Sequence, residues 1–442
     1  MKLYNSKSLQ VEEFKPINEG EVKMYVCGPT VYNDVHIGNV RPVVVFDTLR
    51  RTFEALGYKV YYVSNYTDVD DKIIKEAKKR GISEKELTDE MIAAYNDIRH
   101  RLNAQDLYAT PRVTETVDDI IAFIEELVKK GAAYKVDGDV FFRVSSVGSY
   151  GSLSNQSIDE LKVGARIDEN EKKESPLDFV LWKKTDEGIR WDTPFSIGRP
   201  GWHTECVVMI NSKLGDKIDI HGGGKDLRFP HHENERAQSI ACNGSELANY
   251  WMHSGMIDIN GIKMSKSLGN FITAKDILKT TDPSTLRWFL LETHYRADVN
   301  VSDEIIAGCK KELSRVLEAI KKSDIELALN DIKDDYKDED SYKAFLDAMS
   351  DDLNTPNAYA VIFDLVKKIN SALRNKEKDY HLLTSYKNSL IACLDILGIP
   401  YQEIKMSEED KALFKEWQIA KEEKNFEHAD DIRTLLQGKG LL

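Results

Sequence analysis

Residues 23–39 read KMYVCGPTVYNDVHIGN, and this stretch decides the fold. Its apolar start predicts a short strand at 23–27, which the following Gly-Pro pair ends. Apolar residues then recur at helical spacing from 38 to 56, which predicts a helix with one buried face. The next stretch, 58–64, is rich in Val and Tyr and predicts a second strand. Such a strand–helix–strand unit is typical of parallel sheets, which bind ligands at the carboxyl ends of their strands.

The rest of the chain shows an interruption of this pattern, its return and a helical end. Residues 145–199 have no clear strand–helix rhythm, and 112–198 are predicted to be an insertion, with a hairpin turn at Asp137-Gly138. The elements predicted after it are a helix at 202–214, a strand at 217–220, a glycine turn at 222–224, a helix at 231–243 and a strand at 250–257. From Asp282-Pro283, which fits a helix N-cap and first turn, the chain is predicted to be almost entirely helical to its end. The predicted fold class is α/β, with a split Rossmann-like parallel sheet, an inserted domain and an all-helical C-terminal region.

Composition and charge exclude some classes of protein. The sequence has no apolar run near the roughly 18 residues of a membrane span, and its charged N-terminus lacks the apolar core of a secretory signal. Its five cysteines are odd in number and scattered, which argues against a disulfide framework. The formal net charge of -14 argues against bulk attraction to nucleic acid but allows a local basic stripe. We therefore expect a cytoplasmic protein that binds neither membrane nor DNA.

Two segments have the residue types of a nucleotide-phosphate site. In the loop between the first strand and the helix, backbone N–H groups and the helix dipole can face an anion. There His36 can donate to a phosphate, and Gly38 permits close approach of a nucleotide. The second segment follows the hairpin turn Asn260-Gly261 and reads KMSKS at 263–267. Its lysines suit the charge that develops on a phosphate under attack. A helix-capping histidine and a solvated hairpin are the alternative interpretations.

A third group of residues has the donor atoms of a metal site. Its members are Cys27, Cys206, His231 and Glu235. The last two are four residues apart, which on a helix puts them on one face. Two thiolates, an imidazole and a carboxylate can make a tetrahedral zinc site. The C-x-x-C spacing of zinc knuckles is missing, and His232 and Glu233 are equally available by composition. Two core cysteines beside a helix with His and Glu side chains are the alternative.

The two phosphate-site segments resemble known motifs. His36-Ile37-Gly38-Asn39, followed far downstream by KMSKS, resembles the paired HIGH and KMSKS motifs of class I aminoacyl-tRNA synthetases. Asn39 replaces the second histidine of the family pattern. Because Asn still donates a hydrogen bond, we expect nucleotide binding to survive with altered geometry. The catalytic residues that this resemblance implies are His36, Asn39, Lys263 and Lys266.

Longer segments are similar to the cysteinyl-tRNA synthetase family. They lie at 24–32, 65–72, 179–183, 201–206 and 221–235, in the family's order and at matching separations. The implied ligands of one zinc ion are Cys27, Cys206, His231 and Glu235. The implied ATP-binding residues are Thr30, His36, Gly38, Asn39, Gly222, Gly223, Asp226 and Lys266. The implied substrate-binding residues are Cys27, Gly28, Thr67, Trp202 and His203, with Asp68 beside Thr67 at the substrate ammonium.

The resemblance implies that L-cysteine is joined to tRNA(Cys) through cysteinyl-adenylate, with ATP as substrate and magnesium accompanying it. A zinc ion that accepts the substrate sulfur as thiolate rejects a hydroxyl by ligand softness, so we expect no editing activity. An ATP-dependent cysteine:amino-sugar ligase of related fold is one alternative, and the long helical C-terminus favours tRNA over it. A catalytically inactive RNA-binding paralogue is the other, against which the intact His36, Lys263 and Lys266 argue.

The resemblance also implies a division into domains. The predicted parts are a split catalytic domain at 1–111 and 199–275, an inserted connective domain for the tRNA acceptor end at 112–198, and a stem-contact region at 276–302. A helical tRNA-binding bundle is predicted at 303–402, followed at 403–442 by a helical anticodon-binding segment that is either reduced or truncated.

Overall fold

The structure, a computed structural model, describes residues 1–156, 172–259, 261–263 and 271–442. Its strands are β1 (Lys2–Asn5), β2 (Gln10–Glu13), β3 (Glu21–Val26), β4 (Lys59–Val63), β5 (Ala133–Val136), β6 (Asp139–Phe142), β7 (Phe179–Lys184), β8 (Gly198–Pro200), β9 (Ile218–Gly224), β10 (Ala248–Ser254), β11 (Ile257–Ile259), β12 (Ile262–Lys263) and β13 (Val299–Val301). Its helices are α1 (Ile37–Ala55), α2 (Asp71–Arg80), α3 (Glu84–Arg101), α4 (Val117–Lys129), α5 (Glu205–Leu214), α6 (Glu233–Asn243), α7 (Ala274–Thr280), α8 (Pro283–Glu292), α9 (Asp303–Leu329), α10 (Glu339–Ser350), α11 (Thr355–Arg374), α12 (Tyr380–Ile396), α13 (Glu408–Glu422) and α14 (Phe426–Gly438).

A parallel sheet with the strand order β10-β9-β3-β4 forms the centre of the α/β part. β3 and β4 are joined through α1, as predicted, whereas β9 and β10 come from the chain after the insertion. The two halves of the sheet therefore meet where β3 pairs with β9, from Met24 opposite Ile220 to Val26 opposite Gly222. This arrangement confirms the predicted split, Rossmann-like α/β fold.

Both faces of the parallel sheet are covered. Successive residues of a strand point to opposite faces, and Met24 lies in a core that includes α1 and continues into the C-terminal helices. Its neighbour Tyr25 lies in a second core, which α4, α5 and the inserted strands share. A strand buried on both sides requires an almost continuous apolar run. This requirement explains why the strand at β3 was predictable from sequence.

A four-stranded antiparallel sheet with the order β5-β6-β7-β8 separates the two halves of the parallel sheet in sequence. The predicted hairpin turn is present, with positive φ at Asp137 (53°) and Gly138 (92°), as a turn with two left-handed residues requires. The domain boundaries at 112 and 198 stay predictions.

Helices α8 to α14 make up most of the chain after residue 282. The predicted start at Asp282-Pro283 is confirmed, because the Asp282 side chain accepts a hydrogen bond from Thr285 N and Pro283 begins α8. The short strand β13 interrupts this largely helical part and pairs in parallel with β11. No helix within the described ranges has the length and apolar character that a membrane crossing requires.

The predicted glycine turn at 222–224 is wrong, because these residues are the last three of β9. A side chain at Gly222 would lie 2.3 Å from the Phe46 ring of α1. Glycine is needed there because the helix packs directly on the strand backbone. The glycine run that suggested a turn therefore reflects close packing of α1 on β9.

Two further boundaries differ from the predictions. The helix expected from residue 202 begins at Glu205, because the backbone at Gly201 is still hydrogen-bonded to β7, with 2.8 Å between Gly201 N and Leu181 O. The strand expected at 250–257 ends at Ser254. At the next residue, Gly255 N donates to Tyr295 O over 2.8 Å, and the chain leaves for the sheet of β11.

A buried arginine joins the sheet domain to the C-terminal helices. Arg287 of α8 is 1% exposed and donates to the Asp47 carboxylate of α1 and to the carbonyl oxygens of Leu102 and Leu397. Burial alone would raise the pKa of Asp47, but the charges of Arg287 and Arg51 hold it below its ordinary value. A charge pair buried in this way is sensitive to any displacement of either partner.

We expect Gly398→Ala to destabilise the protein more than Gly244→Ala. Both glycines have left-handed φ values, +70° and +71°, so alanine costs about 1–2 kcal/mol at each. A methyl group at Gly398 would also lie 2.3 Å from Cζ of Arg287, whose hydrogen bonds hold it in place, whereas nothing lies within 4 Å at Gly244. Overpacking should remove about 1–3 kcal/mol more from the free energy of unfolding. Urea unfolding measures both variants, and equal losses would contradict the fixed position of Arg287.

Candidate functional site

A cleft of about 440 Å³ opens at the carboxyl ends of the parallel strands. Residues after β3, at the end of β9 and just after β10 line it, among them Gly28, Gly224 and Gly255. The loop that leads into α1 forms a further wall. Four residues of this loop and of the start of α1 line the cleft and were predicted to bind ATP: Thr30, His36, Gly38 and Asn39. Open α/β sheets bind their ligands at this position.

His36 forms the N-cap of α1, and its ring lies edge-on to Phe271 with 5.1 Å between centroids. Two backbone hydrogen bonds of 3.1 and 2.8 Å join its loop to residues 272–274. The Lys263 backbone ends β12, but its side chain and the whole of Lys266 lie outside the described residues. The first described residues after the KMSKS segment are thus packed on the loop of His36.

The four predicted metal donors converge beside this cleft. The Sγ atoms of Cys27 and Cys206 are 3.6 Å apart, and Cys27 Sγ lies 3.4 Å from Glu235 Oε1. His231 Nε2 lies 3.7 Å from Cys206 Sγ and 2.8 Å from Glu235 Oε1. All four donor atoms lie within 4.8 Å of one another. The structure therefore brings together four residues from three separate segments of the chain.

These separations suit a tetrahedral ion. With zinc–sulfur bonds of about 2.3 Å and shorter bonds to nitrogen and oxygen, two sulfurs lie about 3.8 Å apart and sulfur lies about 3.6 Å from nitrogen. The distances between Cys27 and Cys206 and between Cys206 and His231 agree to about 0.2 Å with these values. The His231–Glu235 distance is shorter than a tetrahedral edge because the imidazole and the carboxylate are directly hydrogen-bonded. The donor set and its spacing fit zinc.

Local structure explains how each donor reaches the cluster. Cys27 directly follows β3, and its amide donates to Gly222 O over 3.2 Å, which continues the pairing with β9. Cys206 is in the first turn of α5 and 2% exposed. His231 belongs to the short turn Arg228–His232 before α6, and Glu235 is in the first turn of α6. The spacing of four residues thus puts the His231 and Glu235 side chains side by side, although His231 lies just before the helix begins.

Hydrogen bonds and burial determine the charges of the donors. Burial raises the pKa of Cys27, and the hydrogen bond from this thiol lowers the pKa of Cys206 to about 6. Burial alone would lower the pKa of His231, but the Glu235 carboxylate raises it to about 10. Burial would raise the pKa of Glu235, yet His221 and His231 hold it well below its ordinary value. The cluster therefore combines anionic sulfur and oxygen donors, which a divalent cation would stabilise.

The structure also distinguishes the predicted metal ligands from the alternatives His232 and Glu233, which the sequence left equally available. Glu233 points away from the cluster, since it accepts from Ser154 N over 2.8 Å and pairs with Arg236 at 3.3 Å. His232 belongs to a second possible set of donors, with Cys27, His221 and Glu235. That set has one sulfur instead of two. Because zinc favours thiolate donors, the set with two cysteines is the better zinc site.

Sequence reasoning missed two side chains that support the cluster. His221 Nε2 lies 2.6 Å from Glu235 Oε2, and both residues are fully buried. Asn65 Oδ1 accepts from Gly28 N over 2.9 Å and is 3.8 Å from Cys206 Sγ. The available signal for His221 was its position in the β9 segment, at the same sheet edge as the first cysteine. For Asn65 the only signal was its position just after β4, at the carboxyl end of that strand.

The predicted amino-acid pocket residues fall into two groups. Trp202 lines the cleft, is 42% exposed and stacks on His231 with 4.4 Å between ring centroids. His203 and Thr67 are instead engaged behind the cleft wall: His203 Nδ1 lies 3.0 Å from His231 Nδ1, and Thr67 Oγ1 donates to Glu205 Oε2 over 2.8 Å. The neighbouring Asp68 accepts two hydrogen bonds from Thr114. Trp202 is thus in position for direct substrate contact, whereas the others support the wall.

The predicted nucleotide residues of the β9 segment also differ in placement. Asp226 lines the cleft. Gly222 and Gly223 are buried, the first against Phe46 and the second 2.9 Å, measured from an added Cβ, from the His232 ring. Packing alone is therefore sufficient to require glycine at these two positions.

Known families match most of the chain. Residues 13–311 match the family described as the tRNA synthetases class I (C) catalytic domain, and residues 344–402 match the DALR domain. Three similar curated proteins carry the name cysteine–tRNA ligase. They come from Oceanobacillus iheyensis (47% identical), a Geobacillus species (46%) and Exiguobacterium sibiricum (48%), and each alignment covers 100% of this chain and 97% of the relative.

Solved structures share the fold at low sequence identity. A putative arginyl-tRNA synthetase from Campylobacter jejuni has a TM-score of 0.62 at 15% identity, covering 89% of this chain and 95% of that one. Methionyl-tRNA synthetase from Mycobacterium tuberculosis, in complex with methionyl-adenylate, also has a TM-score of 0.62, at 14% identity, covering 85% of this chain and 89% of that one. The family model and the curated relatives therefore show that the chain, whose fold these structures share, belongs to the cysteine–tRNA ligase family of class I aminoacyl-tRNA synthetases.

Proposed function

We propose that the chain activates L-cysteine with ATP and transfers it to tRNA(Cys). The observation that carries the proposal is the convergence of two thiols, an imidazole and a carboxylate beside the cleft that the loop of His36 also lines. A metal site that selects a thiol would recognise cysteine, and the adjacent loop of His36 would bind the phosphates of ATP. Membership of the cysteine–tRNA ligase family supports the same substrates.

Cys27, Cys206, His231 and Glu235 would hold one zinc ion, which when bound supplies a soft acceptor for the substrate thiolate that a hydroxyl cannot imitate. The surrounding residues orient the ligands. His203 contacts the second ring nitrogen of His231, and His221 holds the second oxygen of Glu235. Trp202 covers His231 on the side of the cleft and limits access of water. Because selection of the thiol is this direct, we propose that no editing step is needed.

The first step forms cysteinyl-adenylate. A carboxylate oxygen of cysteine attacks the α-phosphorus of ATP, the bond to the bridging oxygen breaks, and pyrophosphate leaves. Both reacting groups belong to substrates, so the chain contributes position and charge. His36 and Asn39 at the start of α1 would bind phosphate, with Thr30, Gly38, Gly222, Gly223 and Asp226 around the nucleotide. Gly28 would lie beside the amino acid, and Thr67 would support the wall behind it through its hydrogen bond to Glu205. Magnesium would accompany ATP, and Lys263 and Lys266 would stabilise the developing charge.

The second step transfers cysteine to the 3′-terminal adenosine of tRNA(Cys). A ribose hydroxyl attacks the carbonyl carbon of the adenylate, the bond from this carbon to the phosphate oxygen breaks, and AMP leaves with its phosphate accepting the hydroxyl proton. We assign the acceptor end to residues 112–198, the stem contact to 276–302, the bundle contact to 303–402 and the anticodon to 403–442. The DALR-domain match falls inside the proposed bundle. On α9, the exposed Lys310, Lys311 and Arg315 offer positive charge for a phosphate backbone.

The purified protein is expected to exchange pyrophosphate into ATP in the presence of cysteine and to charge tRNA(Cys). Serine is the control amino acid, and an amino-sugar alcohol is the control acceptor. Transfer of radiolabelled cysteine to the amino sugar instead of tRNA would identify the related ligase activity. Absence of cysteine-dependent exchange would contradict synthetase activity and favour an inactive RNA-binding protein.

Cys206→Ser is expected to release the metal, because a hydroxyl is a poor zinc ligand and the other three donors do not complete the tetrahedron. Discrimination of cysteine from serine in the exchange assay should fall together with the zinc content. Cys242→Ser is the matched control, since this half-buried thiol lies outside the cluster. Elemental analysis of both variants measures zinc per chain. Full zinc content in Cys206→Ser would rule out this ligand set.

Lys266→Ala is expected to reduce the rate of adenylate formation by about 100-fold or more, with little change in the KM for cysteine. The physical reason is that a lysine on the transferred phosphate interacts more strongly with the transition state than with the bound substrate. Pyrophosphate exchange at varied cysteine concentration separates the two quantities. Lys275→Ala, an exposed lysine on α7, should behave as wild type. A similar loss of rate and of cysteine affinity would argue against this role.

A further inference from the structure

Lys72 is a basic residue of the cleft to which the reaction described above gives no role. It is the second residue of α2, directly after the turn that leaves β4. Its backbone amide donates to the N-cap Asp70 over 2.7 Å, which fixes the start of the helix. The side chain is exposed and lines the cleft, with Nζ 5.5 Å from the centroid of the Tyr32 ring.

Lys72 brings a positive charge to a cleft whose described lining residues also include two acidic side chains. No other lysine or arginine in the described part of the chain lines it, whereas Asp34 and Asp226 do. The basic residues in the last turn of the same helix have partners: Lys78 pairs with Glu187, Lys79 with Glu76 and Arg80 with Glu90. Between described residues, no ion pair involves Lys72.

The position of Lys72 in its helix is electrostatically unfavourable. A helix N-terminus carries partial positive charge, so acidic residues stabilise the first turn and basic residues the last. α2 follows this rule with Asp71 at its start and three basic residues at its end, and Lys72 is the exception. An exposed cation–π contact contributes only about 0.5–1 kcal/mol. The ammonium group can therefore leave Tyr32 for a stronger anionic partner at little cost.

We propose that Lys72 binds a phosphate group of a substrate in the cleft, an inference that rests on the proposed function. ATP and the 3′ end of tRNA both present phosphates. The start of α2 lies between the cleft and the inserted sheet, because Asp71 pairs with Lys183 of β7 at 3.0 Å and also with Arg199 of β8. A phosphate at this place would be neutralised by Lys72 and would relieve its conflict with the helix dipole.

The test compares Lys72→Gln, Lys72→Arg and Lys75→Gln. Lys75 is one turn further along the same exposed face of α2, does not line the cleft and serves as the matched control. One assay is cysteine-dependent pyrophosphate exchange at varied ATP. The other is single-turnover transfer from preformed cysteinyl-adenylate to tRNA(Cys). Equal thermal midpoints would establish that the variants fold.

We expect Lys72→Gln to lose about tenfold or more in one of the two assays, the size of a hydrogen bond to a charged group. Lys72→Arg should keep most activity and Lys75→Gln all of it. A loss in exchange identifies the ATP phosphates, and a loss confined to transfer identifies the tRNA end. Lys72→Gln within twofold of wild type in both assays, or a change only in the KM for cysteine, would overturn the proposal. Wild-type protein without cysteine-dependent exchange would instead overturn the proposed function itself.

Discussion

A backbone hydrogen bond from the Cys27 amide to the Gly222 carbonyl extends the pairing of β3 with β9 into the site. The site depends on this pairing, because β3 precedes the insertion and β9 follows it. In the observed register Tyr25 lies opposite His221, the residue that holds Glu235. A slip by one residue would exchange the two faces of β3, so the thiol of Cys27 would face away from its partners. Correct pairing of the two strands is therefore a condition for bringing the four donor side chains together.

At the same edge of the sheet, two positions have room only for glycine. Phe46 of α1 occupies the space that a Cβ at Gly222 would need, and the backbone carbonyl of Asn65 lies 1.7 Å from the corresponding position at Gly28. Close packing here keeps the turn before α6 and the start of α1 near the strand ends. His36 lines the cleft and His231 lies behind Trp202 at its wall, although both residues are outside the sheet. Packing alone therefore requires glycine at both positions.

Much of the fold was predictable because its elements have strong local signals. β3, α1 and β4 appear as an apolar run, a helical repeat and a β-branched run, and the observed bounds differ from the predicted ones by a residue or two. The glycine run at 222–224 misled because a sequence does not distinguish a turn from close packing against a ring such as Phe46. The strand predicted across Gly255 failed for a related reason, since its partner Tyr295 is 40 residues away along the chain.

The site was predictable only in part. Spacing of four suggested that His231 and Glu235 share a helix face, but nothing local connected them to Cys27 or Cys206; the family resemblance supplied that link. The structure brings the four donors together, and their role in metal binding stays a proposal. The contact of His221 with Glu235 depends on the pairing of distant strands, which periodicity cannot reveal.

The long separation in sequence between the donors has a consequence for synthesis on the ribosome. Cys27 is 179 residues before Cys206 and 208 before Glu235. At about 5–20 residues per second, the first thiol waits roughly 10–40 s for its last partner to be translated. During this interval Cys27 lacks side chains that adjoin it in the folded structure. An ion held by all four side chains can be captured only after Glu235 has been translated, so it cannot nucleate folding of the residues before it.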